Sequence, residues 1–382
     1  MDDFVHTSDE IALIESARGF ARDHVGPKAA TWERERRFPK AAIKAAAALG
    51  LTGIETPIAL GGQGARFSAK LRIAEELARH DFAFAFSLIN TQNIASRIAL
   101  GGVEAHRTKY LKGLLAGDLI GGTALSEPGA GSDFPAVATL ARRVAGGYDL
   151  DGEKAWITNV AAGDVFIVYA KTDSAGASDS IAAFLVDAHA PGFERLAPYE
   201  LMGGHAIGVG GFRLNALRVA DADMLYPPGQ AFKRALVSIN GARAYVAAMC
   251  CGIVAEALRL ALARGGERMT FGRPLLAHQG LRWSLVDVAN TLEAMRLLTY
   301  RAARLIDEGK DAMLAAAHAK KFAAEQTLPA LAACQQAMGA EGLKDQYPIG
   351  RHMTGARIAA YVDGSTEMQN ERIGAALAKG AF

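Results

Sequence analysis

Apolar residues recur at helical spacing from the start of the chain. Thr7-x-x-Glu10 reads as a capping box, and Ile11, Ile14, Ala17, Phe20 and Ala21 follow it, so a helix is expected to begin there. Ala-rich stretches at 40–49, 69–78, 83–100 and 106–115 keep the same period, with Gly, Pro and Asn/Asp breakers between them. The first third should be helical. Near residue 121 the pattern changes. Gly146-Gly147 and Asp151-Gly152 are turn signals, and the runs 165–170 and 181–186 are short and rich in β-formers. Phe212, Leu214, Leu217 and Val219 predict a further strand of irregular alternation, and the glycines at 203–204 and 208–211 mark a mobile or tightly turned loop. After Pro227-Pro228 helical periodicity returns and persists to the C-terminus. The expectation is an α+β protein in three parts: a helical domain over 1–119, a β domain over 120–226 and a helical domain over 227–382.

Composition narrows the function without naming it. Lys and Arg total 42 against 40 Asp and Glu, a formal charge of +2 that gives no footprint for nucleic acid or an anionic membrane. The densest charge run, Trp32 to Arg37, carries both signs and reads as a solvated helix face. Cys250, Cys251 and Cys334 show no zinc spacing, so no metal is expected and the thiols read as reduced core residues. No apolar run is read as approaching the roughly 18 residues that span a bilayer. The acidic start MDDFVHTSDE lacks a secretory pattern, so a cytoplasmic location is expected.

The GxGxxG fingerprint of nicotinamide enzymes is missing: Gly129-Ala130-Gly131 is followed by Ser132, Asp133 and Phe134 and leads toward strands. P-loop, GxSxG and HExxH patterns are absent too. Two other segments stand out, Gly122-Thr-Ala-Leu-Ser-Glu-Pro-Gly-Ala-Gly-Ser-Asp133 and Gly152-Glu-Lys-Ala-Trp-Ile-Thr-Asn159. The first offers hydroxyls and backbone N–H groups at a glycine-kinked strand end. The second places an aromatic and a hydroxyl two apart on one strand face. Such a surface suits a flat polar heterocycle. The plain alternative is that Ser126 and Ser132 satisfy turns and Trp156 fills the core.

With their spacing, these motifs resemble the acyl-CoA dehydrogenase family. Arg268-Met-Thr-Phe271-Gly272-Arg-Pro274 with Gln279 is similar to the family's R-x-x-FG-x-P-x-x-x-x-Q signature, and Gln336-Ala-Met-Gly339-Ala-Glu-Gly342 to its Q-x-x-GG-x-G turn. Asp363-Gly-Ser-Thr-Glu-Met-Gln369 resembles its C-terminal EGT-x-E/Q-I-Q. The resemblance implies an N-terminal helical domain, a central β-barrel and a C-terminal four-helix bundle, with FAD between barrel and bundle. By position, Leu125, Ser126, Trp156 and Thr158 would contact the flavin ring, and Ser132 would face pyrophosphate or pantetheine. Ser365 and Glu367 would also lie at the cofactor, and Asn240, Arg243 and Gly364 at the substrate. Arg268, Phe271, Gln279, Gln336 and Gly339 would reach the FAD of a neighbouring subunit, which implies a homodimer or homotetramer. For Arg268 the plain alternative is an ion pair with Glu267. An electron-transferring flavoprotein is the implied electron acceptor.

The implied reaction takes the α-proton of an acyl-CoA thioester onto a carboxylate and the β-hydrogen as hydride to flavin N5. A backbone N–H at the base position and a ribityl hydroxyl would hold the thioester oxygen. The family base is most often the Glu of EGT, where this chain has Asp363, and the alternative position beside Arg243 is Ala242. Asp at this site is associated with dehydrogenases of alicyclic acyl-CoA esters such as cyclohexanecarboxyl-CoA, so an alicyclic or α-branched substrate is expected. Helix-cap chemistry beside Gly364 and Ser365 is the plain alternative for Asp363. Other departures are Ala340 in the GG turn, Thr354-Gly355 in place of Arg-Asp, and His205 in place of a barrel-loop Arg. A flavin monooxygenase of the same fold and a carrier-protein-bound acyl substrate are the competing functions.

Overall fold

Thr7 and Glu10 form the capping box: the Thr7 hydroxyl accepts the Glu10 amide at 3.2 Å, and the Glu10 carboxylate accepts the Thr7 amide at 2.9 Å. Helix α1 (Ser8–Phe20) starts there. The structure is a computed structural model that describes residues 6–172 and 178–380, so the first five residues of the acidic start lie outside the described residues. Helices α2 (Gly26–Arg34), α3 (Lys40–Ala47), α4 (Phe67–Ala78) and α5 (Phe82–Gly101) follow. Two short pieces, α6 (Glu104–His106) and α7 (Lys112–Leu115), flank a wider turn and complete the first helical unit.

Trp32 is buried against Phe84, with ring centroids 5.7 Å apart, and Glu33 accepts the backbone N–H groups of Gly204 and His205. The Trp32–Arg37 run is thus a solvated face only from Arg34 onward. Trp32 holds the helical unit together, and Glu33 ties it to the glycine loop, where Gly203, Gly204 and Gly208 all have positive φ. His205, in place of an Arg, donates its amide to this clasp.

The strands are β1 (Gly121–Ala124), β2 (Leu140–Val144), β3 (Gly147–Ile157), β4 (Val165–Thr172), β5 (Ile181–Asp187), β6 (Phe193–Arg195), β7 (Gly210–Ala220) and β8 (Met224–Tyr226). They form one sheet in the order β6-β7-β3-β2-β4-β5-β8, with β1 parallel to β4. The sheet curls on itself, because Phe166 of β4 touches Phe212 of β7 and Phe193 of β6 at 5.2 and 5.9 Å although those strands are not neighbours. Its outer face packs Val165, Ile167 and Tyr169 with Ile94 and Ile98 of α5. Of two bulges between β3 and β7, the first explains the irregular alternation, because its extra residue sets Leu214 and Leu217 three apart. Asp151 of β3 faces both Asn215 and Ala216 of β7, and Ala155 and Trp156 together face Gly211.

Helices α8 (Ala231–Glu267), α9 (Gln279–Asp307) and α10 (Met313–Met338) pack together with α11 (Ile349–Tyr361) and α12 (Thr366–Ala378). Between α8 and α9 lies the hairpin β9 (Met269–Thr270) and β10 (Arg273–Pro274). Helix α8 corrects the reading that no stretch could span a bilayer: an 18-residue window reaches a mean hydropathy of 1.9, but 72% of it is buried among the other helices. It is a core helix. Cys250, Cys251 and Cys334 are free and buried in this core.

One buried ion pair joins the two segments singled out in the sequence. Lys154 donates to Glu127 Oε1 at 2.7 Å and to the Tyr169 carbonyl at 2.7 Å, while Glu127 also accepts the Thr139 amide at 3.0 Å. Burial pushes Lys154 down to about 8 despite its partner. Burial works to raise Glu127, but Lys154 and Thr139 outweigh it and hold the carboxyl below the usual range. Removing one partner strands a buried charge, at a cost of about 3–5 kcal/mol. Lys154→Met should therefore lower the denaturation midpoint sharply, and adding Glu127→Gln should restore part of the loss. A wild-type midpoint for the single variant would refute this role.

Candidate active site

The chemistry converges on the short link between α11 and α12. Asp363 has φ +55° and Gly364 has φ +90°, so two successive residues are left-handed, one of them a non-glycine. Side chains from three helices hold this backbone. From α8, Arg243 donates to the Asp363 carbonyl at 3.3 Å and to Asn240 Oδ1 at 3.0 Å. From α10, Lys320 donates to the Val362 and Gly364 carbonyls at 2.8 and 3.0 Å. From α12, Gln369 donates to the Gly364 and Ser365 carbonyls at 3.0 and 3.2 Å. Burial lowers Lys320 to about 8 and Arg243 to about 10, and the Asp363 carboxylate opposes each shift.

The Asp363 side chain opens into a cavity bounded by Asn90 and Arg97 of α5, Thr123 and Leu125 from the β1 end, Tyr169 of β4, and one face of α8 that includes Ser238, Ala242 and Tyr245. Among the described residues lining it, Asp363 is the one carboxylate. Its Oδ2 is shielded from solvent and has no hydrogen-bond partner. Burial raises its pKa, against the opposing charges of Lys320, Arg243 and Arg97. The helix-cap alternative falls, because Ser365 is the N-cap of α12 and Asp363 caps nothing. Ala242, at the alternative base position that the resemblance implied, lines the same cavity without an acid.

Trp156 is 62% exposed with φ +60°, so it does not fill the core. The bulge rotates it outward against Tyr199, 4.7 Å between ring centroids, and β3 ends at Ile157, leaving Thr158 in the following turn. The Ala155 amide donates to the Ser126 carbonyl at 3.0 Å, so Ser126 lies beside this aromatic. Leu125 and Ser126 are half-buried, Ser132 is exposed, and Ser365 and Glu367 open α12.

A second group lies at the other end of the bundle. Arg268 closes α8, Gln279 opens α9, and Gln336 and Gly339 close α10. Along α8 the rise from Arg243 to Arg268 is about 37 Å, so one chain does not bring these residues to Asp363. Phe271 and Gly272, with φ +50° and +75°, form a two-residue turn that leaves Phe271 96% exposed. Among the described residues no carboxylate is within ion-pair distance of Arg268, so pairing with Glu267 is not seen. Gly339 alone takes positive φ in its turn, which is why Ala340 is tolerated, and Gly355 admits α11 against Phe82, whose Cβ an added methyl would meet at 2.8 Å.

Sequence reasoning missed Lys320 and Arg97. Lys320 sits in an Ala-rich helix with nothing local to mark it. Arg97 did carry a signal, as the single charged residue of α5.

A helical domain, a curled sheet and a helical bundle enclosing a lone carboxylate define a flavoenzyme architecture, and the chain belongs to the acyl-CoA dehydrogenase family. Residues 7–118, 122–217 and 229–378 match its N-terminal, middle and C-terminal domains. The chain is 32% identical over 380 residues to the short-chain specific acyl-CoA dehydrogenase of Megasphaera elsdenii, covering 98% of this chain and 99% of that one. It superposes on the butyryl-CoA dehydrogenase structure from that organism with a TM-score of 0.93, at 32% identity over 98% and 99% of the two chains. A chain in a structure described as the electron transferring flavoprotein of Acidaminococcus fermentans is similar too, with TM-score 0.93, 31% identity and 99% coverage of both.

The carbonyl clamp predicts that Lys320→Met leaves the half-buried Val362 carbonyl unpaired, at about 1–3 kcal/mol, and the Gly364 carbonyl held by Gln369 alone. The variant should melt earlier and bind substrate less well. An unchanged melting curve together with unchanged turnover would remove Lys320 from the site.

Proposed function

We propose that this protein is an FAD-dependent dehydrogenase of acyl-CoA thioesters in which Asp363 is the base. The observation that supports it most is the shielded, unpartnered Asp363 Oδ2 as the one carboxylate on the cavity among the described residues. The residues present fit the cofactor. Gly129 and Gly131 border open space, where an added Cβ would meet nothing within 4 Å, and Trp156 is an exposed aromatic on a strained bulge whose neighbour Ala155 bonds the Ser126 carbonyl. Leu125, Ser126, Trp156 and Thr158 would hold the ring, Ser132, Ser365 and Glu367 other parts of the cofactor. When bound, the flavin supplies the acceptor for the β-hydride.

The chain's own residues do the rest. Asp363 Oδ2 accepts the α-proton in a site dry enough to keep it basic, and its amide is the donor the resemblance assigns to the thioester oxygen. Arg243, Asn240, Lys320 and Gln369 position Asp363 through its backbone. A catalytic group displaced by about 1 Å loses roughly 100-fold in rate. The shorter Asp therefore favours a substrate whose α-carbon lies close to the bundle wall, and an alicyclic or α-branched acyl group supplies one. Electrons leave to an electron-transferring flavoprotein.

Asp363→Asn should retain FAD and lose turnover and flavin bleaching by cyclohexanecarboxyl-CoA. In the wild type, kcat/KM should rise with pH through an apparent pKa above that of an ordinary aspartate, because the raised carboxyl must first lose its proton. Retained turnover in the variant would sink the assignment. Bleaching by straight-chain acyl-CoAs alone would sink the alicyclic or α-branched reading.

The same reading makes the second group of residues a partner subunit's contribution: Arg268, Phe271, Gln279, Gln336 and Gly339 would complete the FAD site of a neighbouring chain in a dimer or tetramer. Phe271→Asp should then shift the assembly toward smaller species in sedimentation and weaken FAD retention together. A monomeric wild type that keeps FAD would overturn this.

A further inference from the structure

Arg97 is the one charged side chain of a helix that is otherwise apolar or neutral, and it faces the cavity that holds Asp363. Its guanidinium donates to Thr123 Oγ1 at 2.7 Å and to Ser238 Oγ, hydroxyls on opposite walls. Neither carries charge. Among the described residues no carboxylate lies within ion-pair distance of Arg97, and Asp363 Oδ2 remains unpartnered, so the two do not satisfy each other. Yet the charge is felt across the cavity: it works against the burial that raises Tyr169 to about 12 and that raises Asp363. Asn90, Tyr169, Ser238 and Tyr245 add further polar groups to the lining.

An alkyl chain placed there would leave a half-buried guanidinium facing hydrocarbon, which is unfavourable. A carboxylate would meet a planar fork of donors made for bidentate pairing and would supply the missing countercharge. We infer that Arg97 sets the specificity of the acyl pocket and that the substrate is the coenzyme A monothioester of a dicarboxylic acid, whose free carboxylate Arg97 receives. The inference rests on the acyl-CoA dehydrogenase reading above. It concerns the far end of the acyl group, whereas the length of Asp363 concerns the α-carbon, so the two constraints combine. Neutralising Arg97 with an anion also removes one of the charges that favour ionised Asp363, which makes Asp363 a stronger base once substrate is in place.

The test uses the FAD-loaded enzyme with acyl-CoA pairs matched in length, glutaryl- against valeryl-CoA and adipyl- against hexanoyl-CoA, read as flavin bleaching and kcat/KM. The wild type should favour the carboxylated member by roughly 100-fold, since a site built to pair with a polar group rejects the analogue that lacks it. Arg97→Met should erase that preference by lowering kcat/KM for the carboxylated member far more than for the neutral one. Arg97→Lys should keep part of the preference, and so separates a lost charge from a damaged fold. Preference of the wild type for the neutral chains, or an equal fall of both series in Arg97→Met, overturns the inference alone. Bleaching by neither series in the wild type overturns this inference, and failure of cyclohexanecarboxyl-CoA to bleach the flavin as well overturns the dehydrogenase reading with it.

Discussion

The site depends on four residues of backbone that would not hold their shape unaided. The link 362–365 contains two successive left-handed residues, and its carbonyls are met by side-chain donors of the bundle. Lys320, Arg243 and Gln369 answer them from three different helices, so the bundle must be assembled before the link is stable. The strain of a left-handed Asp, about 1–3 kcal/mol, is offset by these donors. What the clamp achieves is to aim a carboxylate at a cavity while Lys320 and Arg243 donate to backbone carbonyls of the link and to Asn240 instead of to that carboxylate. Asp363 thus stays unpartnered amid Arg243 and Lys320.

The sheet contributes by a related device. Two bulges in the β3–β7 ladder interrupt regular alternation, and the second turns Trp156 out of a position that strict alternation would have spent on packing. The Glu127–Lys154 pair then fixes the β1 end against β3, so that Leu125 at the cavity and Trp156 on the outer surface keep their relation. Both devices spend local regularity on placing one side chain, and in both a buried Lys supplies the compensation.

Charge in the cavity is arranged with similar economy. One anion, Asp363, and one cation, Arg97, line it without pairing, and the remaining polar groups are neutral. A carboxylate kept from a direct partner retains its basicity, and a guanidinium kept from one retains its affinity for an anion. Had the two met, each would have lost the property that makes it useful.

The amino-acid sequence by itself determined the α-β-α order, the capping box at Thr7, and the motifs that lead to Asp363, because periodicity, caps and short signatures are local. It also carried the proposed base to position 363, since Ala242 leaves no acid at the other position that the resemblance offers. Tertiary structure decided what distant residues do to one another. Trp32 and Glu33 read as solvated until Phe84 covered the one and the glycine loop bonded the other, and α8 met the length and hydropathy of a membrane span until its neighbours covered it. Trp156 could be core or surface until a bulge, set by pairing with β7, turned it outward. Lys320 gained a role only when α10 met the link before α12, and Arg97 faced Asp363 only when α5 met α8 across the sheet edge. Side-chain identity is written along the chain, whereas burial and partnership are set by contacts between segments far apart in it.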